Sequence, residues 1–309
     1  MTPQLTHPGS KTLLGELDSF FRSKRIFTRQ DRRLVFLCGG PVSSRNASFR
    51  RKLLDYARTS LPEFRFFLAE DAARDLFGHG NPIFTNIAEF EVLLSNLADC
   101  VLIIPESAGS IAELGYFSAK KKVLEKLLVV TDLGFQGDES FLSLGPIELV
   151  SRRSRYRPVI QVKLKARRPT FRPIVNTLRR HEPAIRGHFE FKNFHQLPIQ
   201  HQFFVIFELI YLFDKISYDA IEYLIQSTFC DRKQLSTKQK HDLRQLLSIL
   251  CAGHYVKRIG NDALLTPAPQ AIPFFDIDDF ERNSLKINIS DFVRRTQTQK
   301  TPRRHRRSK

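Results

Sequence analysis

Residues 100–118 read CVLIIPESAGSIAELGYFS. The first five, Cys100 to Ile104, form an unbroken apolar run with no polar alternation, the pattern of a short strand buried on both faces. A Ser- and Gly-bearing loop follows, Pro105 to Ser110, and then helical spacing from Gly109 to Lys122. A buried strand that hands the chain straight to a helix is the building unit of a parallel sheet covered by helices.

Working outward, the same alternation recurs. Leu34–Cys38 (LVFLC) ends in Gly39-Gly40, residues 48–60 have helical spacing, and Phe64–Leu68 (FRFFL) is strand-like. Residues 84–97 are again helical, and Leu127–Val130 (LLVV) gives a fourth strand. The expectation is an open α/β fold, flavodoxin-like or Rossmann-like. In such sheets ligands bind beyond the carboxyl ends of the strands. Three loops fall there, at Cys38–Pro41, Ala69–Asp71 and Pro105–Ser110, and should converge on one cleft.

Within the third loop, Ser110 and Glu113 have the S-x-x-E spacing of a capping box, which would make Glu113 a local structural device in the first helical turn. On a helical wheel Ile111, Leu114, Gly115 and Ser118 form the stripe suited to the sheet, while Glu113 shares another side with Tyr116, Phe117 and Lys120. That side can face the cleft. Spacing alone allows both readings. Gly39-Gly40 permits close backbone approach to a ribose or phosphate, but the loop is neither G-x-G-x-x-G nor a Walker sequence with its lysine, so dehydrogenase and P-loop readings lack support.

Composition narrows the class. A chain of 309 residues with 42% hydrophobic content suffices for about two domains with cores of their own. Apolar runs such as Phe203–Phe213 fall well short of the roughly 20 residues of a membrane helix, so a cytoplasmic protein without membrane contact is expected. Cys38, Cys100, Cys230 and Cys251 show no C-x-x-C spacing, and His79, His241 and His254 are scattered; no metal site or cofactor is expected.

Charge is unevenly placed. Residues 1–150 carry 18 Lys or Arg against 18 Asp or Glu, so the whole net charge of +17 resides in residues 151–309. Residues 151–181 hold eleven Lys or Arg and no acid, and the chain ends TPRRHRRSK. Such a run repels itself unless a polyanion is at hand, which points to nucleic acid. The candidates in it are Arg152, Arg153, Arg155, Arg157, Lys163, Lys165, Arg167 and Arg168.

The second half otherwise reads as helical. Gln202–Phe213 is apolar nearly all round, Ser217–Gln226 is amphipathic, and Ser236–Leu250 opens on a Ser/Thr cap. Then come Tyr255–Ile259, a Gly260-Asn261-Asp262 turn and Ala263–Thr266, so three helices and a two-stranded wing make a winged helix. Its nucleic-acid-facing cations would be Lys238, Lys240, Arg244, Lys257 and Arg258. The expected division is an α/β domain at 1–150, a basic connecting segment at 151–200, a winged-helix-like domain at 201–290 and a basic tail at 291–309. Leu13–Ile26 is expected to form a helix packed on the first domain.

FLCGG at Phe36–Gly40, the pair Glu70-Asp71, PESAGSIAELGYFS at Pro105–Ser118 and GPIELV at Gly145–Val150 resemble the nucleoside 2-deoxyribosyltransferase-like N-glycosidase effectors of bacterial retrons. The resemblance runs along most of the chain, and the P-E-S-x-G-S-x-x-E-L-G block is its specific part. It implies a flavodoxin-like domain that cleaves the N-glycosidic bond of a nucleotide, with NAD the implied substrate rather than a cofactor. It places the catalytic carboxylate at Glu113 and the pocket at Gly39, Gly40, Glu106 and Ser110, with Asp71 a looser match. It further implies as partners the retron reverse transcriptase and its branched RNA-linked single-stranded DNA, which would restrain a toxic activity until infection. Oligomeric state, including any higher-order assembly, stays open. The other class left open is a nucleotide-sensing transcription regulator with an inactive α/β domain.

Overall fold

The computed structural model describes residues 10–23, 25–29, 33–42, 48–71, 87–135, 139–181, 187–260 and 264–298. They fall into two compact units, Gln30–Ile185 and a second made of Met1–Arg29 with Arg186–Lys309. The expected basic tail beyond residue 298, the helix after Asp71, His79 and the tip of the wing lie outside the described residues.

The chain opens with α1 (Ser10–Phe21) and β1 (Phe27–Thr28), which belong to the second unit. The α/β unit follows as β2 (Arg33–Cys38), α2 (Phe49–Ser60), β3 (Phe64–Phe67), α3 (Ile87–Leu97), β4 (Cys100–Ile103), α4 (Ala108–Ser118), α5 (Lys121–Leu124), β5 (Leu127–Asp132), α6 (Glu148–Arg153), β6 (Ile160–Val162) and α7 (Arg172–Arg180). The five strands β2 to β6 form one sheet in the order β3-β2-β4-β5-β6, every pairing parallel. Renumbered from its own first strand this is 2-1-3-4-5, the doubly wound order whose direction reverses between β2 and β4. The strands are apolar on both faces because both are covered: Val35, Leu37, Leu102 and Val130 join Leu53, Ile174 and Leu178 in one core. Phe36 on the opposite face meets Phe67 and Phe117.

The fifth strand and α7 lie in the stretch expected to be a connecting segment, so the α/β unit runs on past residue 150. Ile160, Val162 and Leu164 are buried while Gln161, Lys163 and Lys165 are exposed. This is ordinary period-two alternation on a sheet edge, where outward lysines also discourage pairing with other chains. In α7, Ile174, Val175 and Leu178 pack inward and arginines point away.

The second unit contains α8 (Ile199–Phe213), α9 (Tyr218–Phe229), α10 (Thr237–Ala252), β7 (Val256–Ile259), β8 (Leu264–Pro267), β9 (Phe275–Asp276) and α11 (Asp279–Thr298). β7 and β8 form an antiparallel hairpin, and Leu265 bridges back to Ile216. Helix α8 is buried nearly all round, as its composition requires. Its Glu208, wholly buried, is held by Arg282, which donates at 2.8 Å to Glu208 and also to the carbonyls of Phe275 and Ile277. Contrary to expectation, α1 packs in this unit: Phe21 sets its ring 5.0 Å from Phe229. Among the described residues no helix is long and apolar enough to cross a membrane.

Candidate active site

The switch point is framed by the loops after β2 and β4, which Glu106 ties together. Its carboxylate accepts from the backbone N–H of Gly40 at 3.0 Å, of Phe49 at 3.0 Å and of Arg50 at 3.1 Å. Glu106 thereby anchors the glycine turn to the N-terminus of α2, where a carboxylate also complements the helix dipole. Glu106 and its neighbour Arg50 account for the glycines. A Cβ on Gly40 would stand 2.9 Å from Glu106 Cγ, and one on Gly39 would stand 3.0 Å from Arg50 Cβ. Neither glycine needs a positive φ, and the close approach they permit is to these side chains.

The serines settle the local question about Glu113. Helix α4 is capped by Ser107: its hydroxyl accepts from Ser110 N–H, and the Ser110 hydroxyl accepts in return from Ser107 N–H. The capping box therefore lies three residues earlier than the S-x-x-E spacing predicts. Ser110 is buried with its hydroxyl engaged by Ser107. Glu113, in the second turn, takes no part in the cap. The buried stripe of α4 is Ser110, Leu114, Phe117 and Ser118, with Ile111 exposed, so Ser110 and Phe117 stand where the wheel places Ile111 and Gly115. Glu113 borders that stripe, half-buried.

Around Glu113 gather groups from three other elements. The Cys38 thiol at the end of β2 hydrogen-bonds to its carboxylate, as does Glu91 from α3. Burial, followed by the neighbouring charges of Glu113 and Glu70, pushes Glu91 up to about 7, and burial also raises Glu113 above its ordinary value. Two close carboxylates resist ionising together, and the neighbouring charge of Glu113 helps Glu91 hold its proton. Cys38 is pushed well up by burial, then by Glu113 and Glu91, and is a neutral thiol. Glu113 Oε2 is buried without a hydrogen-bond partner among the described residues.

Opposite stands Arg50, buried on α2. It pairs with Glu70 at 2.5 Å, while its Nε has no partner among the described residues. Its charge partly offsets the burial cost at Glu113. Glu91, Arg50, Glu70 and Cys38 lie 22, 63, 43 and 75 positions from Glu113 in the sequence; parallel topology joins them, and no local spacing announces them. Asp71 follows Glu70 directly, half-buried.

The basic candidates separate. Arg155 donates to the carbonyl of Asp99, and Arg152 pairs with Glu148 at 2.7 Å, so residues 152–157 lie at the amino end of the sheet. Lys163, Lys165, Arg167 and Arg168 follow β6 and lie at the carboxyl end, exposed and without a side-chain partner among the described residues. In the second unit Lys240 pairs with Glu222 at 2.7 Å and Arg244 covers the Tyr218 ring, while Lys238 and Lys257 are exposed. Arg258 is half-buried.

The chain therefore carries a doubly wound sheet with carboxylates gathered at its switch point and a helical unit bearing a β-hairpin. The particular family follows from comparison. Residues 46–258, more than half of the chain, match the STM3845 retron effector protein family, and the chain belongs to it. It is 34% identical over 125 residues to a candidate ribosyltransferase/DNA-binding protein of retron Ec73 from Escherichia coli, covering 40% of each chain. It is 30% identical over 153 residues to the corresponding protein of retron Ec86 from the same organism, covering 48% of this chain and 47% of the relative. The matches thus span less than half the length of either relative.

Proposed function

We propose that the chain is the toxic effector of a retron defence system and that it cleaves the N-glycosidic bond of a nucleotide, NAD foremost, with Glu113 as the catalytic carboxylate. The observation that carries this reading is the placement of Glu113: half-buried at the switch point, outside the helix cap, with one oxygen lacking a partner among the described residues. The ribosyltransferase names of its relatives agree with it.

Breaking a C1′–N bond builds positive charge on the anomeric carbon. Glu113 would stabilise that charge or attack the carbon to form a glycosyl ester, which water then hydrolyses. The protonated Glu91 beside it can donate to a departing base. Nicotinamide leaves as a neutral base and needs no such donor, whereas a purine does. Gly39, Gly40, Glu106 and Ser110 would then shape the pocket chiefly as scaffold, and Asp71 stays a candidate for orienting the sugar. The helix–helix–helix–hairpin order of the second unit supports a winged-helix reading, with Lys238 and Lys257 as the exposed ones among its five candidate cations. Reverse transcriptase and branched RNA-linked DNA are the proposed restraining partners.

The test is chromatography of the base released from NAD and a panel of nucleotides by wild type and Glu113→Gln. Loss of release by at least about 10³-fold in the variant is expected, the scale on which enzymes depend on a catalytic group. Undiminished release would remove Glu113 from the mechanism. With purine substrates the rate should fall as pH rises through about 7, where Glu91 loses its proton; with NAD it should not.

A further inference from the structure

A doubly wound sheet ordinarily meets a phosphate with free backbone N–H groups, from the turn after its first strand and from the helix that follows. Here those groups are taken. Glu106 accepts from Gly40, Phe49 and Arg50, so a carboxylate of the chain itself fills the space between the glycine turn and the N-terminus of α2. A phosphate brought in on a substrate therefore needs a side-chain cation.

Arg50 supplies one. Its side chain is buried, 7% exposed, and lies along the glycine turn, where a Cβ on Gly39 would stand 3.1 Å from Arg50 Cδ. Glu70 occupies the outer fork of the guanidinium, accepting from Nη2 at 2.5 Å and from Nη1 at 3.4 Å. Nε, on the other edge, is buried and has no partner among the described residues. A guanidinium grips planar and tetrahedral oxyanions through either edge, and a buried N–H left open is costly. Glu70 is the partly exposed member of the pair, 41% against 7%, so its hold on Arg50 competes with water. Glu113 feels the same guanidinium, which sets the cation beside the carboxylate that would act on the sugar.

We infer that Arg50 selects phosphorylated substrates: its open Nε edge takes a phosphate of the nucleotide, and Glu70, fixed to the outer fork, opposes that phosphate and sets how tightly it is held. The selection of substrate rests on the glycosidase reading above; the binding of a phosphate at Arg50 does not. Arg50 is thus a specificity-determining residue, and the pair Arg50–Glu70 is an anion subsite with a built-in competitor.

The experiment uses the full chain and two substrates that differ by one phosphate, nicotinamide riboside and its 5′-phosphate, with released nicotinamide measured by chromatography. Wild type should favour the phosphorylated substrate in kcat/KM. In Arg50→Gln that preference should fall about 10- to 100-fold, the worth of a hydrogen bond to a charged group. Loss of the charge beside Glu113 slows both substrates, so the ratio is the reading. Glu70→Gln should move the preference the other way, up by at least about threefold, because a like charge beside the phosphate is gone. Should Arg50→Gln fail to fold, the rise in Glu70→Gln decides. Calorimetric titration with inorganic pyrophosphate needs no activity: the anion should bind wild type, at least about tenfold more weakly Arg50→Gln, and more tightly Glu70→Gln. An unchanged preference in Arg50→Gln, or a fall in both variants as a mere brace would give, overturns the inference. So does pyrophosphate that alters kcat for the riboside, since the anion would then be a separate effector. If wild type releases no base from any substrate, the glycosidase reading fails by itself, and the pyrophosphate titration still decides the anion subsite.

Discussion

At the amino end of the sheet, Lys126 donates to the carbonyls of Asn96 and Ala98, Arg155 and Tyr156 both donate to the Asp99 carbonyl, and the Asp99 carboxylate accepts from Leu34 N–H. At the carboxyl end of the same strands, Glu113 keeps a buried oxygen and Arg50 a buried Nε without a partner among the described residues, and Glu91 is pushed up to about 7. Both ends perturb titration, since burial also lowers Lys126 to about 8 and raises Cys100 to about 12. A shifted pKa therefore does not separate a site from a brace. What separates them is the kind of group left over: among the described residues the amino end leaves a neutral ring nitrogen, His181 Nε2, buried without a partner, whereas the carboxyl end holds two carboxylates against each other, the imbalance that catalytic residues carry at a cost in stability.

The contrast can be broken or sharpened by substitution. The largest stability effect is expected at Glu106, whose carboxylate is spent on three backbone N–H groups. Glu106→Ala strands three N–H groups and should cost about 3 kcal/mol in denaturant unfolding, the scale of hydrogen bonds to a charged group; a change near zero would detach it from the scaffold. Next comes Glu91. Its folded pKa is raised from 4.5 to about 7, so the folded state binds more protons than the unfolded state between those values, and stability falls as pH rises through them. Glu91→Gln should therefore stabilise above pH 7 by about 2 kcal/mol and do little near pH 4.5, checked by unfolding at both pH values.

At the opposite end the sign reverses. Lys126 is lowered from 10.5 to about 8, so there the unfolded chain binds more protons and stability rises with pH across that window. Lys126→Met removes two hydrogen bonds and should cost about 1 to 2 kcal/mol at neutral pH, with base release within about twofold of wild type. A large loss of activity there would erase the distinction between the two ends. The smallest effect belongs to the exposed pair Arg152–Glu148: Arg152→Ala should change stability by no more than about 0.5 kcal/mol.

Much of this fold is legible in the amino-acid sequence, because parallel strands buried on both faces must be apolar, and the interiors of β2, β4 and β5 carry no charged residue. β6 escapes notice for the opposite reason: as an edge strand flanked by Lys163 and Lys165 it looks like part of a charge run, although the alternation of Ile160, Val162 and Leu164 was there to be read. Glu113 is legible as a candidate, but its surroundings are not. The cap is displaced because two serines three apart can cap each other and leave the glutamate out. Glu91, Arg50 and Cys38 reach the cleft only through strand order, which no single segment encodes. The same holds for the fate of the glycines at 39 and 40, since the side chains that fill the space beside them come from Glu106 and from α2.

The most direct test of the central claim is to measure folding stability and base release on the same preparation of Glu113→Gln at pH 8. A carboxylate held unsatisfied for chemistry should give a variant that is inactive yet at least as stable as wild type, because the neutral amide removes a buried charge at Glu91's side. A variant that keeps its activity while losing stability would contradict the account and make Glu113 a structural residue.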